Sequence, residues 1–197
     1  MTKKQPNSDK KMRLKFFTNR NFVIICWISL LGLTMEGKMV AADILKPFTL
    51  SSSAFIHETD IQSQYTCEGK DVSPSLKWEN PPAGTKSYVL IMDDPDAPGK
   101  TWVHWILFNI PASILALEEN IKNLPSGTKE GQNSWEKTGY GGPCPPSGKH
   151  RYYFKLYALD TVLALDAGVS KAEIGSAMDG HILAKAELMG YYQKKKI

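Results

Sequence analysis

Cysteine is scarce in this chain, with three among 197 residues. No two of them stand as C-x-x-C, which removes a thiolate zinc site. There is no G-x-S-x-G, no H-E-x-x-H and no phosphate-binding P-loop. The hydrolase nucleophile elbow, the zinc-protease helix and the nucleotide cradle are therefore not expected. Long apolar runs are missing too. Residues 22–33 form a stretch of 12, whereas a helix crossing a bilayer needs about 20. Positive charge is also short once the first segment is set aside. Residues 1–42 hold 8 of the 24 Lys and Arg and 2 of the 20 Asp and Glu, leaving 16 basic residues against 18 acidic. The overall charge of +4 thus gives no reason to expect a nucleic-acid partner. Neither an internal repeat nor a second linker interrupts residues 43–197.

What is present begins with a leader. Lys3, Lys4, Lys10, Lys11, Arg13, Lys15 and Arg20 precede the apolar stretch, and small residues ending Val40-Ala41-Ala42 follow it. Basic, apolar and small-residue segments in that order are the mark of a secretory signal. Cleavage after Ala42 would release residues 43–197 as one exported, periplasmic domain without a stable membrane span. An uncleaved leader would instead anchor it. Cys26 lies in the apolar stretch with no small-residue lipobox before it. Cys67 and Cys144 remain, and an oxidising compartment allows them to form a disulfide.

Residues 86–92, 103–110 and 152–159 are short β-branched and aromatic runs bounded by Pro, Gly and Asp, and they read as buried strands. Residues 48–53 and 76–78 are weaker strand candidates. Ser170-Lys171-Ala172-Glu173 fits a capping box. Ile174, Met178, Ile182, Ala186 and Met189 follow at helical spacing, predicting a C-terminal helix that Gly190 ends.

Residues 93–99 place three carboxylates, Asp93, Asp94 and Asp96, within four positions of a turn stiffened by Pro95 and Pro98. Such crowding requires nearby donors or a cation. Calcium is a weak candidate because Trp102, Val103 and Trp105 downstream supply no side-chain oxygen ligand. His104 sits on a predicted buried strand, where a lone histidine is more often a satisfied core residue. The Gly- and Pro-rich 139–148 segment leads into His150, Arg151 and Tyr152, and its glycines could present backbone amides to an anion.

In sequence order, Asp94-Pro95-Asp96-Ala97-Pro98, Trp102-x-His104, Gly142-Pro143-x-Pro145 and His150-Arg151-Tyr152 resemble the phosphatidylethanolamine-binding proteins. The likeness is closest to their bacterial Raf-kinase-inhibitor-like (YbhB/YbcL-type) branch, and it covers nearly all of residues 47–192. The resemblance implies a mainly β fold with a large central antiparallel sheet, a second smaller sheet and a few helices. It also implies a pocket for phosphate-like or carboxylate anions at one end of the central sheet. The pocket would be formed by Asp94, Asp96, Pro98, His104, Gly142, Pro143, His150 and Tyr152, with no metal and no cofactor. Resemblance and the tight turn together favour a cis Ala97–Pro98 bond. Eukaryotic members close their pocket with a tyrosine on a C-terminal helix, and the matching position here is Ala186, so lid behaviour is not carried over.

Binding of a small anion is the leading function. The first alternative is modulation of an unknown protein partner through the pocket rim. The second is a thiol hydrolase using Cys144 with His104 or His150. A metal held by His104, His150 and Asp94 has no support from the resemblance. The oligomeric state, a homodimer included, is open.

Overall fold

The computed structural model describes residues 46–195. The expected leader, Cys26 and the cleavage point after Ala42 lie outside them. The elements are β1 (Thr49–Ser51), β2 (Thr59–Asp60), a 3-10 turn (Ser63–Tyr65), β3 (Leu76–Glu79), β4 (Ser87–Asp94) and β5 (Trp102–Pro111). They continue with β6 (Ala116–Leu117), β7 (Lys129–Glu130), β8 (Lys149–Leu159), α1 (Lys171–Met178) and β9 (Ile182–Gln193). The large sheet runs β2-β9-β8-β4-β5-β7 and the small one β1-β3-β6. All pairings are antiparallel except the short β2–β9 contact, which is parallel.

Strand alternation gives the large sheet two apolar faces. From β4, Tyr88, Leu90 and Met92 point toward the small sheet and meet Trp78 and Leu76 of β3, with Phe154 and Leu156 of β8 alongside. Val89 and Ile91 point the other way, onto Ile174 and Met178 of α1. Every residue of β4 is buried, which is why it reads as an unbroken apolar run. Each fully buried large side chain contributes about 1.5–3 kcal/mol, so this three-layer core sets the frame on which the loops are hung.

The helix starts as its capping box requires. The Ser170 hydroxyl accepts from the Glu173 amide, and the Glu173 carboxylate accepts from the Ser170 amide. It does not reach Gly190. Asp179 leaves helical geometry and Gly180 takes a φ of +76°. From Ile182 onward the chain pairs with β8 from Lys149↔Gln193 to Leu159↔Ile182. The apolar residues there also fit a period of two, with Ala186 and Leu188 buried between exposed Lys185 and Glu187. A β carbon on Gly190 would come within 2.6 Å of Ile61, so that glycine serves close packing in a strand rather than a helix stop. Ala186 accordingly pairs with Leu156 in mid-sheet instead of occupying a lid.

Candidate functional site

The C-terminal end of β4 and the first residues of β5 and β8 meet at one end of the large sheet, which brings Asp94, His104, His150 and Tyr152 together. The three crowded carboxylates are separated by direction, each with its own partner. Asp93, wholly buried, faces the helix layer and accepts from Lys155 Nζ at 2.6 Å and Lys171 Nζ at 2.5 Å. Asp94 turns the opposite way, accepting from His150 Nδ1 at 2.8 Å and from the Asp96 amide at 2.8 Å. Asp96 takes a fork from Arg151, with Nε at 2.8 Å and Nη2 at 2.5 Å, together with the Arg151 amide at 2.9 Å. Those Arg151 bonds bring the Asp96 carboxyl down to about 2.

His104 is anchored differently. Its Nδ1 lies 2.7 Å from the Gly141 carbonyl, which can only accept, so Nδ1 carries the proton. The Gly141 amide returns a bond to the His104 carbonyl at 3.1 Å. Burial pushes the His104 pKa down, against a smaller upward pull from the Gly141 carbonyl. The ring is therefore neutral near pH 7, with Nε2 left as an acceptor. Edge-to-face contacts with Trp135 and Tyr152, at 5.2 and 5.3 Å between centroids, fix its plane.

A cavity of about 370 Å³ opens here, lined by Asp94, Pro98, Trp102, His104, Trp135 and Tyr152. Ala97, Cys144, Pro145 and Pro146 complete its wall, and no Lys or Arg among the described residues lines it. Two of the lining residues carry buried donors that find no partner among the described residues, the Trp102 Nε1–H and the Tyr152 hydroxyl. Burial raises the Tyr152 pKa and the Asp94 charge adds to the rise, although no well-formed hydrogen bond joins the two. The site thus offers two unsatisfied donors beside two acceptors, Asp94 and His104 Nε2. A ligand group that both accepts and donates would satisfy them, as a hydrogen phosphate or a carboxylic acid does. Among the described residues no three His, Cys, Asp or Glu side chains are placed to hold a metal ion.

Several expected positions are displaced from the cavity. Gly142 gives its amide to Asp71 Oδ1 at 2.7 Å, and a β carbon there would meet the Tyr65 carbonyl at 2.4 Å. The Pro143 carbonyl accepts from the Cys67 amide at 3.2 Å. These two residues secure the wall from behind and present no amide to the cavity. Asp96 and His150 stand one layer back, holding Arg151 and Asp94. No cis peptide bond occurs among the described residues, so Ala97–Pro98 is trans. Cys67 and Cys144 are joined by a disulfide with a Cα–Cα separation of 5.4 Å. Trp135 was not anticipated as a site residue. Its only signal was a large aromatic stranded in the polar, turn-rich 131–139 segment.

Comparison with known proteins places the fold in a family. The chain is 51% identical over 148 residues to a UPF0098 protein of Methanothermobacter thermautotrophicus, covering 74% of this chain and 98% of that one. It superposes on the crystal structure of a putative phosphatidylethanolamine-binding protein homolog from Chlamydia trachomatis with a TM-score of 0.71. That pair is 42% identical, with 75% of this chain and 98% of the other covered. Escherichia coli YbcL, described as a member of the mammalian family, gives a TM-score of 0.72 at 35% identity, covering 76% of this chain and all of YbcL. The profile of the phosphatidylethanolamine-binding protein family matches residues 51–193, which span both sheets and every wall of the cavity, and the chain belongs to that family.

Proposed function

We propose that this protein is exported and binds a small acid, a phosphate monoester or a carboxylate, in the cavity at the end of the large sheet. The observation that carries the reading is the pairing of two orphan donors, Trp102 Nε1–H and Tyr152 Oη–H, with the acceptors Asp94 and His104 Nε2 around one cavity. A bare dianion would use the donors and be repelled by Asp94. The same ligand carrying one proton uses both sets. A phosphate monoester takes up that proton near pH 6. Binding is favoured over thiol hydrolysis because the sulfur of Cys144 is bonded to Cys67 and is no free nucleophile.

Calorimetric titration with inorganic phosphate and with acetate between pH 5 and 8 tests the reading. Affinity rises as pH falls, since either the ligand or His104 then supplies the proton facing the acceptors. Hydrogen bonds to charged groups are worth about 1.5–3 kcal/mol, so Tyr152→Phe weakens binding roughly 10- to 100-fold. Absence of binding by either acid across that range would exclude it. Export is supported by the leader's order of segments and by the disulfide, which suits an oxidising compartment. N-terminal sequencing of the protein recovered outside the cytoplasm should begin at Asp43. An intact Met1 on protein released only by detergent would replace export with anchoring.

A further inference from the structure

Trp135 is 41% exposed, yet its surroundings hold it still. The Asn133 carboxamide oxygen accepts from the Trp135 amide at 3.0 Å and the Lys137 amide at 3.2 Å, while its nitrogen donates to the Gly139 carbonyl at 3.2 Å. Ser134 is stitched to Val103 on both sides, at 2.9 and 2.8 Å. The indole meets Trp102 and His104 edge to face, at 5.4 and 5.2 Å. Behind it lies Gly141, where a β carbon would stand 2.6 Å from the ring, so only glycine lets the indole sit there. An exposed indole whose rotamer is already fixed loses little entropy when something flat covers it.

The space beside it is also larger than an acid group alone requires. Liquid water takes about 30 Å³ per molecule, and the cavity measures about 370 Å³. Trp135 also borders a second recess of about 380 Å³ behind residues 141–144, where Lys137 and Tyr140 lie. A ligand body extending from the acid head would pass across the indole, bounded by Pro98 and Pro146, with no Lys or Arg among the described residues to meet in the cavity.

We propose that Trp135 is the specificity-determining platform of this site, accepting a planar aromatic body attached to the acid head that Tyr152 and His104 hold. The preferred ligands are therefore aryl acids rather than inorganic anions. This inference rests on the acid-binding reading above, and three probes keep the two separable. Inorganic phosphate, phenyl phosphate and phenol are titrated calorimetrically and by tryptophan fluorescence at pH 6. Phenyl phosphate binds about tenfold tighter than inorganic phosphate and shifts the emission. Trp135→Ala reduces that preference to less than about threefold, and Trp135→Phe, which keeps a flat ring, retains most of it. Equal affinity for the two phosphates, or a preference that survives Trp135→Ala, would overturn the platform and leave acid binding intact. Failure of both phosphates to bind would remove acid binding itself. Phenol binding as tightly as phenyl phosphate would remove the acid head while sparing the platform.

Discussion

Asp93 and Asp94 are neighbours of identical chemistry that end in opposite circumstances. Strand geometry sends successive side chains to opposite faces of the sheet. Asp93 goes under α1, where two lysines neutralise it and tie the helix to the sheet. Asp94 goes to the cavity, where a single histidine N–H and one amide leave it open to a ligand. The first position holds the fold together and the second lines the cavity. Nothing in the residue type distinguishes them, only the parity of their place in β4.

The sharpest way to break this contrast is Asp93→Ala. It strands two lysines under the helix, and removing one partner of a buried pair costs about 3–5 kcal/mol. Lys155 and Lys171 keep partial access to water, so roughly 3 kcal/mol is expected here, lowering Tm by about 6–12 °C in calorimetry. Phosphate affinity should not change in the folded fraction. Asp94→Asn should reverse that pattern. It loses about 1 kcal/mol of stability, and phosphate binding becomes less dependent on pH because the cavity no longer contains a full negative charge. A variant that kept the wild-type pH profile would deny Asp94 its place in the site.

His104 adds a smaller effect. Its folded pKa lies below the ordinary histidine value, so between the two the unfolded chain binds the proton and the folded one does not. Its contribution is complete above about pH 6.5 and is lost as pH falls through the lowered folded value. Urea midpoints at pH 7.5 and 5.5 should differ less in His104→Gln than in wild type. Smallest is Arg151→Ala. The pair with Asp96 is solvent-facing, so stability at pH 7 moves little, but the Asp96 carboxyl should rise from about 2 toward the usual carboxylate range in an NMR titration.

Local signals were legible wherever one residue type has one dominant use. The apolar runs between turn residues became β4, β5 and β8, and the capping box placed the start of α1. The far end of that helix was misread because Ile182, Ala186 and Met189 fit a helical spacing while Ala186 and Leu188 also fit an alternating one. Long-range pairing with β8 decided between them. The histidines and Asp94 converge as expected, but which of them face the cavity depends on partners up to 56 residues away. Gly142 illustrates the same limit, since its amide is consumed by Asp71, a residue that no nearby motif marks. Trp135 lies outside any strand, and only the rings packed around it set it apart from other turn residues.

The position of β9 in the sheet has one more consequence, for biosynthesis. This strand is the last of the described elements in chain order yet sits between β2 and β8 rather than at an edge. Until residue 193 has been made, the long edge of β8 stays bare and β2 has no neighbour. The large sheet therefore cannot close until β9 has emerged, although most of the core residues precede it in the chain. Any premature stop before β9 leaves an unpaired strand edge, the kind of surface that templates aggregation.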